Sequence, residues 1–100
     1  MMRLSTAVVL PAHNEQGNLT PLITELVAVA GRAAIPLRVI VVDDGSSDGT
    51  ADELSALVAT VPALSVIRHA ANAGLAAALK TGITAARQSD CDAVVFMTPT

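Results

Sequence analysis

Leu37-Arg-Val-Ile-Val-Val-Asp-Asp-Gly-Ser-Ser-Asp-Gly-Thr50 is the stretch on which the fold turns. Arg38 to Val42 contains an unbroken Val/Ile run with no polar alternation, which argues for a strand buried on both faces, hence a parallel sheet. The run stops at two adjacent carboxylates, Asp43 and Asp44. Gly45, two serines, Asp48 and Gly49 then form a polar loop. Asp48 is placed to cap a helix from about Gly49 to Ala59, with Asp52 and Glu53 in its first turns, where the macrodipole favours acids. A buried strand that delivers carboxylates to a loop before a helix is the ligand-binding edge of an open α/β sheet.

The same unit recurs on either side. Thr6 to Leu10 reads as a first strand closed by Pro11, and the polar loop PAHNEQGN follows. A helix is expected from about Leu19 to Ala30, with Asn18 as N-cap, an apolar face of Leu22, Leu26, Val29 and Ala30, and Gly31 as its end. After the second helix, whose core stripe is Leu54, Leu57, Val58 and Val61, Pro62 leads to a third strand, Leu64 to Arg68. The loop HAANAG precedes a third helix, Leu75 to Gln88, with Leu75, Ala78, Leu79, Ile83 and Ala86 inward. Gly82 lies inside it, and close packing on a strand is the expected reason, since a mid-helix glycine costs about 1 kcal/mol against alanine. Ala93 to Met97 is the fourth strand. The order βαβαβαβ, with right-handed crossovers, predicts a doubly wound, mostly parallel α/β layer with helices on both faces. One hundred residues allow a single domain at most. Ending on a core strand, the chain reads as the N-terminal portion of a larger domain with an exposed edge.

Bulk properties narrow the function. The sequence is 52% hydrophobic with one aromatic residue, Phe96, so the core is aliphatic. Mean hydropathy is +0.57. The net charge is −3 and six basic residues are scattered singly, which disfavours nucleic acid. The single cysteine, Cys91, excludes an internal disulfide and fits a reducing, cytoplasmic setting. No apolar run approaches the roughly 18 residues of a membrane span, and as a signal peptide the N-terminus is weak, because its apolar run ends at Pro11 and polar residues follow at once.

Three strand ends carry the candidate chemistry. Asp43 and Asp44 either accept N–H or O–H donors from a base or ribose, or both cap the loop; on a continuing strand they would face opposite sides. Pro11, Ala12, His13, Asn14 and Glu15 follow strand one, where His13 is a ligand group or a surface residue and Glu15 a site acid or a first-turn helix charge. Asn72 and Gly74 precede the third helix, whose N-terminus favours an anion. Lys80 reaches the sheet edge or is simply solvated, and Arg68 faces a phosphate or pairs with an acid. Neither GxxxxGK[ST] nor GxGxxG occurs, and no Cys/His metal spacing or nucleophile elbow is present. From the residues alone the reading is a nucleotide or anion ligand at the carboxyl edge of a parallel sheet.

VVLPAHNEQGNLTPLI, VIVVDDGSSDGTADEL and NAGLAAALKTGITAA, in this order and spacing, resemble the N-terminal half of family 2 glycosyltransferases of the GT-A fold, especially the polyprenyl-phosphate sugar transferases. The resemblance covers nearly the whole chain. It implies a Rossmann-like nucleotide-binding half that takes a nucleotide-diphosphate sugar for inverting transfer to a polyprenyl phosphate or glycan, at the cytoplasmic membrane face where the acceptor is a lipid. It places Pro11, Ala12, His13 and Glu15 along the donor nucleotide, one of Asp43 and Asp44 on the base, and Asn72, Gly74 and Lys80 near phosphates and ribose. It also implies a divalent cation, Mn²⁺ or Mg²⁺, held by a DxD motif after the fourth strand. Here the sequence reads VVFMTPT, and Thr98 and Thr100 stand where acids are expected. Truncation, frameshift and degeneration each account for that departure. The chain alone is therefore expected to bind a donor without completing transfer. The competing class is a small receiver-like signalling domain with an acidic pocket; there the acid pair would follow the first strand, not the second.

Overall fold

The computed structural model of the protein describes residues 4–99. Seven elements alternate: β1 (Thr6–Ala12), α1 (Leu19–Ala33), β2 (Leu37–Asp44), α2 (Thr50–Thr60), β3 (Leu64–His69), α3 (Leu75–Gln88) and β4 (Ala93–Phe96). All four strands are parallel, in the order β3-β2-β1-β4. The chain leaves β1 toward β2 on one side and returns as β4 on the other. The carboxyl end of β1 is thus the topological switch point, where open α/β sheets leave a crevice.

Strand alternation sorts the aliphatic side chains into two cores. Val8, Leu10, Val39 and Val41 pack with Leu19 and Ile23 of α1 and Leu54 and Leu57 of α2. Ala7, Val9 and Ile40 face the other way, against Ala86 and Leu79 of α3. Helices therefore cover both faces, and β2 is buried from Val39 through Asp44, as its unbroken run predicts. Each Val, Leu or Ile so enclosed contributes about 1.5–3 kcal/mol relative to exposure.

The expected boundaries shift at several places. The sheet strands run on past Pro11 and past Val42, so Pro11, Ala12, Asp43 and Asp44 belong to strands rather than loops. Helix α1 continues through Gly31 to Ala33 and stops at Ala34, whose φ of 56° makes the left-handed cap that glycine was expected to make. The N–H of Ile35 returns to the Ala30 carbonyl, and Pro36 follows. Met97 lies just beyond β4, although its N–H still reaches the Val9 carbonyl at 3.1 Å. The buried stripes are also rotated. Leu19, Ile23 and Ala30 are the buried residues of α1, while Val29 is exposed. In α3 they are Ala78, Gly82 and Ala86, with Leu75 exposed. Small residues hold the contact because α3 lies very close to the sheet.

Gly82 shows how close. A Cβ there would overlap Val9 Cγ1, and Val9 is fully buried and has nowhere to move. Gly82→Ala gains about 1 kcal/mol of helix propensity but incurs an overpacking cost of about 1–3 kcal/mol. The expected result is a lower urea midpoint with an unchanged m-value; a raised midpoint would contradict this packing.

Candidate functional site

Two loops at the carboxyl edge are stitched together by reciprocal hydrogen bonds. The Asn14 N–H donates to Ser46 Oγ at 3.0 Å, and the Ser47 N–H donates to Asn14 Oδ1 at 2.8 Å. Glu15 N–H donates to Thr50 Oγ1 at 2.9 Å, and Gly49 N–H to Gln16 Oε1 at 2.9 Å. Asn14 adopts φ 53°, a conformation asparagine tolerates better than most residues. The two loops present their backbone donors to each other's side chains, so neither leaves them orphaned.

Glu53 extends the stitching to α1. Its carboxylate accepts the N–H groups of Gly17 and Thr20 at 2.8 and 2.9 Å and the Thr20 hydroxyl at 2.7 Å. Asn18, the expected N-cap, makes no capping bond; its amide instead donates to Glu15 Oε1 at 3.0 Å. The cap of α1 therefore comes from α2. Burial pushes the Glu53 carboxyl up, but the Thr20 hydroxyl and the Gly17 and Thr20 N–H groups outweigh it, leaving it below the ordinary 4.5. A depressed folded value means that this stabilisation is complete above the unfolded value and is lost as pH falls through the folded one. Glu53→Ala is expected to cost about 1–2 kcal/mol, the size of a lost cap, read from the denaturation midpoint at neutral pH. The deficit should shrink toward pH 3; a deficit that grows on acidification would contradict the assignment.

Asp43 and Asp44, on the last two positions of β2, point to opposite faces. Asp43 is fully buried on the α2 side, where its Oδ1 accepts the Ser46 N–H at 3.2 Å. Its Oδ2 has no hydrogen-bond partner among the described residues, and Arg68 Nε approaches to 3.9 Å. Arg68 is thus the acid's neighbour across the strands, in register with it. These two residues share a hollow of about 400 Å³ with Ser55, Leu54 and Val58.

Asp44 faces the α3 side. Its Oδ1 accepts from His69 Nδ1 at 2.8 Å and from the Ala73 N–H at 2.9 Å, and its Oδ2 accepts from the Gly74 N–H at 2.9 Å. The Ala73 N–H and the His69 ring, helped by the Gly74 N–H, hold the carboxyl below the ordinary 3.8, against the opposing pull of burial. His13 Nδ1 donates to the Asp44 carbonyl at 2.8 Å. A carbonyl only accepts, so that nitrogen carries the proton and the neutral ring keeps an Nε2 lone pair. The Asn72 amide lies 3.4 Å from that Nε2.

A cleft of about 310 Å³ opens here, lined by Pro11, Ala12, His13, Glu15, Asp44, Asn72 and Gly74, with Leu75, Ala78, Thr98 and Pro99. Seven of the nine residues that the resemblance places along the donor are therefore brought together. Asp43 lies on the other face, and Lys80 lines a separate hollow with Ile67, Thr81 and Thr84. The hollow beside Asp43 is larger, but the polar groups converge in the cleft, and the cleft lies at the switch point. The sequence reading missed His69, Thr50 and Glu53. His69 had a signal, standing at the carboxyl end of a strand beside the acid pair, but it was assigned to the loop.

Among the described residues no group of three His, Cys, Asp or Glu side chains is placed to hold a metal ion. Asp44 already accepts three bonds, Glu15 is engaged by Asn18, and Thr98 offers only a hydroxyl. The described residues thus supply no three-ligand protein site for a divalent cation, and Thr100 lies outside them.

The chain is 34% identical over 82 residues to a dolichyl-phosphate beta-glucosyltransferase of Trichomonas vaginalis, covering 77% of this chain and 24% of that one. It is 36% identical over 87 residues to a dolichol-phosphate mannosyltransferase of Mycosarcoma maydis, covering 83% and 30%. The mannosyltransferase PcManGT of Pyrobaculum calidifontis, in complex with GDP-Man and Mn²⁺, superposes with a TM-score of 0.71 at 30% identity, over 99% of this chain and 28% of that one. The chain thus spans about a quarter to a third of the length of these proteins, and the likeness bears out the Rossmann-like GT-A architecture. Residues 7–98 match the profile of glycosyl transferase family 2, and the chain belongs to that family.

Proposed function

We propose that this chain forms the donor-nucleotide side of a glycosyltransferase that moves a sugar, with inversion, from a nucleoside-diphosphate donor to an acceptor such as a polyprenyl phosphate. The observation that carries the reading is the Asp44 carboxylate, held by His69, Ala73 and Gly74 at the mouth of the switch-point cleft. Its Oδ2 accepts one protein donor and retains acceptor capacity for an N–H of a base or an O–H of a ribose. The His13 Nε2 and the Asn72 amide, which face each other at 3.4 Å, are a further acceptor and donor that a ligand would engage by displacing this long contact. Helix α3 starts at the same cleft. The N–H groups of Leu75, Ala76 and Ala77 begin it without intrahelical carbonyls, so the positive end of the helix favours a diphosphate. Family membership and the named transferases among the relatives support sugar transfer, and PcManGT supports a nucleotide sugar as donor.

In this reading the residues described here bind and orient the donor. The acceptor site and the general base belong to a longer protein, of which this chain is the N-terminal portion. A divalent cation, where the whole enzyme uses one, offsets the charge of the leaving diphosphate; among the described residues no group of three His, Cys, Asp or Glu side chains is placed to hold it unaided. Where the acceptor is lipid-linked, the enzyme works at the cytoplasmic membrane face; among the described residues no helix is long and apolar enough to cross a membrane. The receiver-like alternative requires two carboxylates converging on one site, whereas Asp43 and Asp44 face opposite sides of the sheet.

Calorimetric titration of the protein with UDP and with GDP, each with and without Mn²⁺, tests this. Saturable one-to-one binding of at least one diphosphate is expected, with neither AMP nor free phosphate competing fully. Binding of neither diphosphate would sink the proposal.

A further inference from the structure

Asp44 is joined to helix α3 by a chain of two further side chains. His69 Nδ1 lies 2.8 Å from Asp44 Oδ1, and His69 Nε2 lies 2.9 Å from Thr81 Oγ1. The order of donors follows from chemistry. The ionised carboxylate only accepts, so Nδ1 carries the ring proton. In the neutral ring Nε2 is then a lone pair, and the Thr81 hydroxyl must donate to it. The strand register explains the meeting: His69 is the partner of Asp44 across β2 and β3, and both side chains fall on the face that α3 covers.

Resting on the donor-binding reading above, we propose that His69 and Thr81 are positioning residues that fix the rotamer and acceptor direction of Asp44. Three donors converge on the carboxylate, two on Oδ1 and one on Oδ2. The Ala73 and Gly74 donors sit in the loop that leads directly into α3. Among the described residues His69 is the donor that ties the carboxylate to the neighbouring strand, and Thr81 ties His69 to the body of α3. With both in place the free lone pair of Oδ2 faces the cleft before any ligand arrives, so its ordering cost on binding is already met. Carboxylate, imidazole and hydroxyl in this order also compose an acyl-transfer triad. Thr81, however, lies mid-helix, where neighbouring backbone N–H groups are held by the helix itself rather than turned toward an oxyanion.

Two measurements test the proposal. The first is the ¹⁵N spectrum of the His69 ring at about pH 8.5, well above the ordinary imidazole pKa. The Nδ1-protonated tautomer, the minor form of free histidine, is expected to dominate; an Nε2-protonated ring would overturn the relay whether or not nucleotides bind. The second compares UDP and GDP titrations of the parent, His69→Leu, His69→Asn and Thr81→Val, with each fold checked by circular dichroism. Asparagine places an amide N–H where Nδ1–H stood. The expected losses, for whichever diphosphate the parent binds, are at least tenfold for His69→Leu, threefold or less for His69→Asn, and between these for Thr81→Val. A folded His69→Leu variant with parental affinity would overturn the positioning role. Failure of the parent to bind either diphosphate, alongside the expected tautomer, would overturn the donor reading and with it the role of the relay in binding.

Discussion

Replacing Gly45 by alanine is expected to destabilise the protein by about 3 kcal/mol or more, combining a left-handed backbone penalty of about 1–2 kcal/mol with a backbone clash. Gly45 has φ +67°, and a Cβ there would overlap Asn72 N and stand 2.5 Å from Ala71 C. Neither atom is the end of a flexible side chain. The β3–α3 loop would have to withdraw, and that loop carries the Ala73 and Gly74 N–H groups that hold Asp44. Loss of stability and loss of nucleoside-diphosphate binding should therefore appear together. Gly17→Ala is the control: it also has positive φ, at +87°, but a Cβ there meets nothing within 4 Å. It should show only the backbone penalty, with binding intact. Equal stability losses in the two variants would contradict the close approach of the loops.

Asp44→Asn is expected to be the most damaging change to binding, at least tenfold and, where the ligand donates directly to Oδ2, near a hundredfold. The carboxylate accepts three donors; an amide keeps one oxygen and turns an NH₂ toward an N–H that now lacks an acceptor. That mismatch costs about 1–3 kcal/mol of stability, the range for an unsatisfied buried partner. The pH dependence carries a sign. Because the folded carboxyl lies below its ordinary 3.8, the unfolded chain binds the proton more readily in acid. The stabilisation is complete above the unfolded value and disappears as pH falls through the folded one. The stability of the parent should therefore fall more steeply below about pH 4 than that of Asp44→Asn. Parallel curves would contradict the bonding of Asp44.

Much of this was legible in the sequence because strand signals are local. The Val39 to Val42 run fixed a buried parallel strand, and Pro62 and the glycine-containing loops marked the breaks. Gly82 announced a close helix–strand contact, and the contact is with Val9. The uncertainty over Asp43 and Asp44 was a one-residue matter. Once β2 is seen to run to Asp44, alternation sends one acid to each face, and only Asp44 reaches the cleft. The helix stripes were less legible, because the apolar residues of α1 and α3 exceed what one face can bury, and proximity to the sheet selected the smaller ones. The partners of Asp44 and the cap of α1 depend on register between distant segments: His69 is 25 residues from Asp44, and Glu53 is 33 from Thr20. No local pattern encodes those pairs.

A nucleoside diphosphate is proposed to occupy the cleft between β1, β2 and the start of α3. Amide chemical-shift mapping during titration with UDP and GDP tests it most directly. Perturbations are expected to cluster at Ala12 to Glu15, Asp44, and Asn72 to Leu75, with Arg68, Ser55 and Lys80 unmoved. Perturbations centred on Arg68 and Ser55, or none at all with either diphosphate, would contradict it.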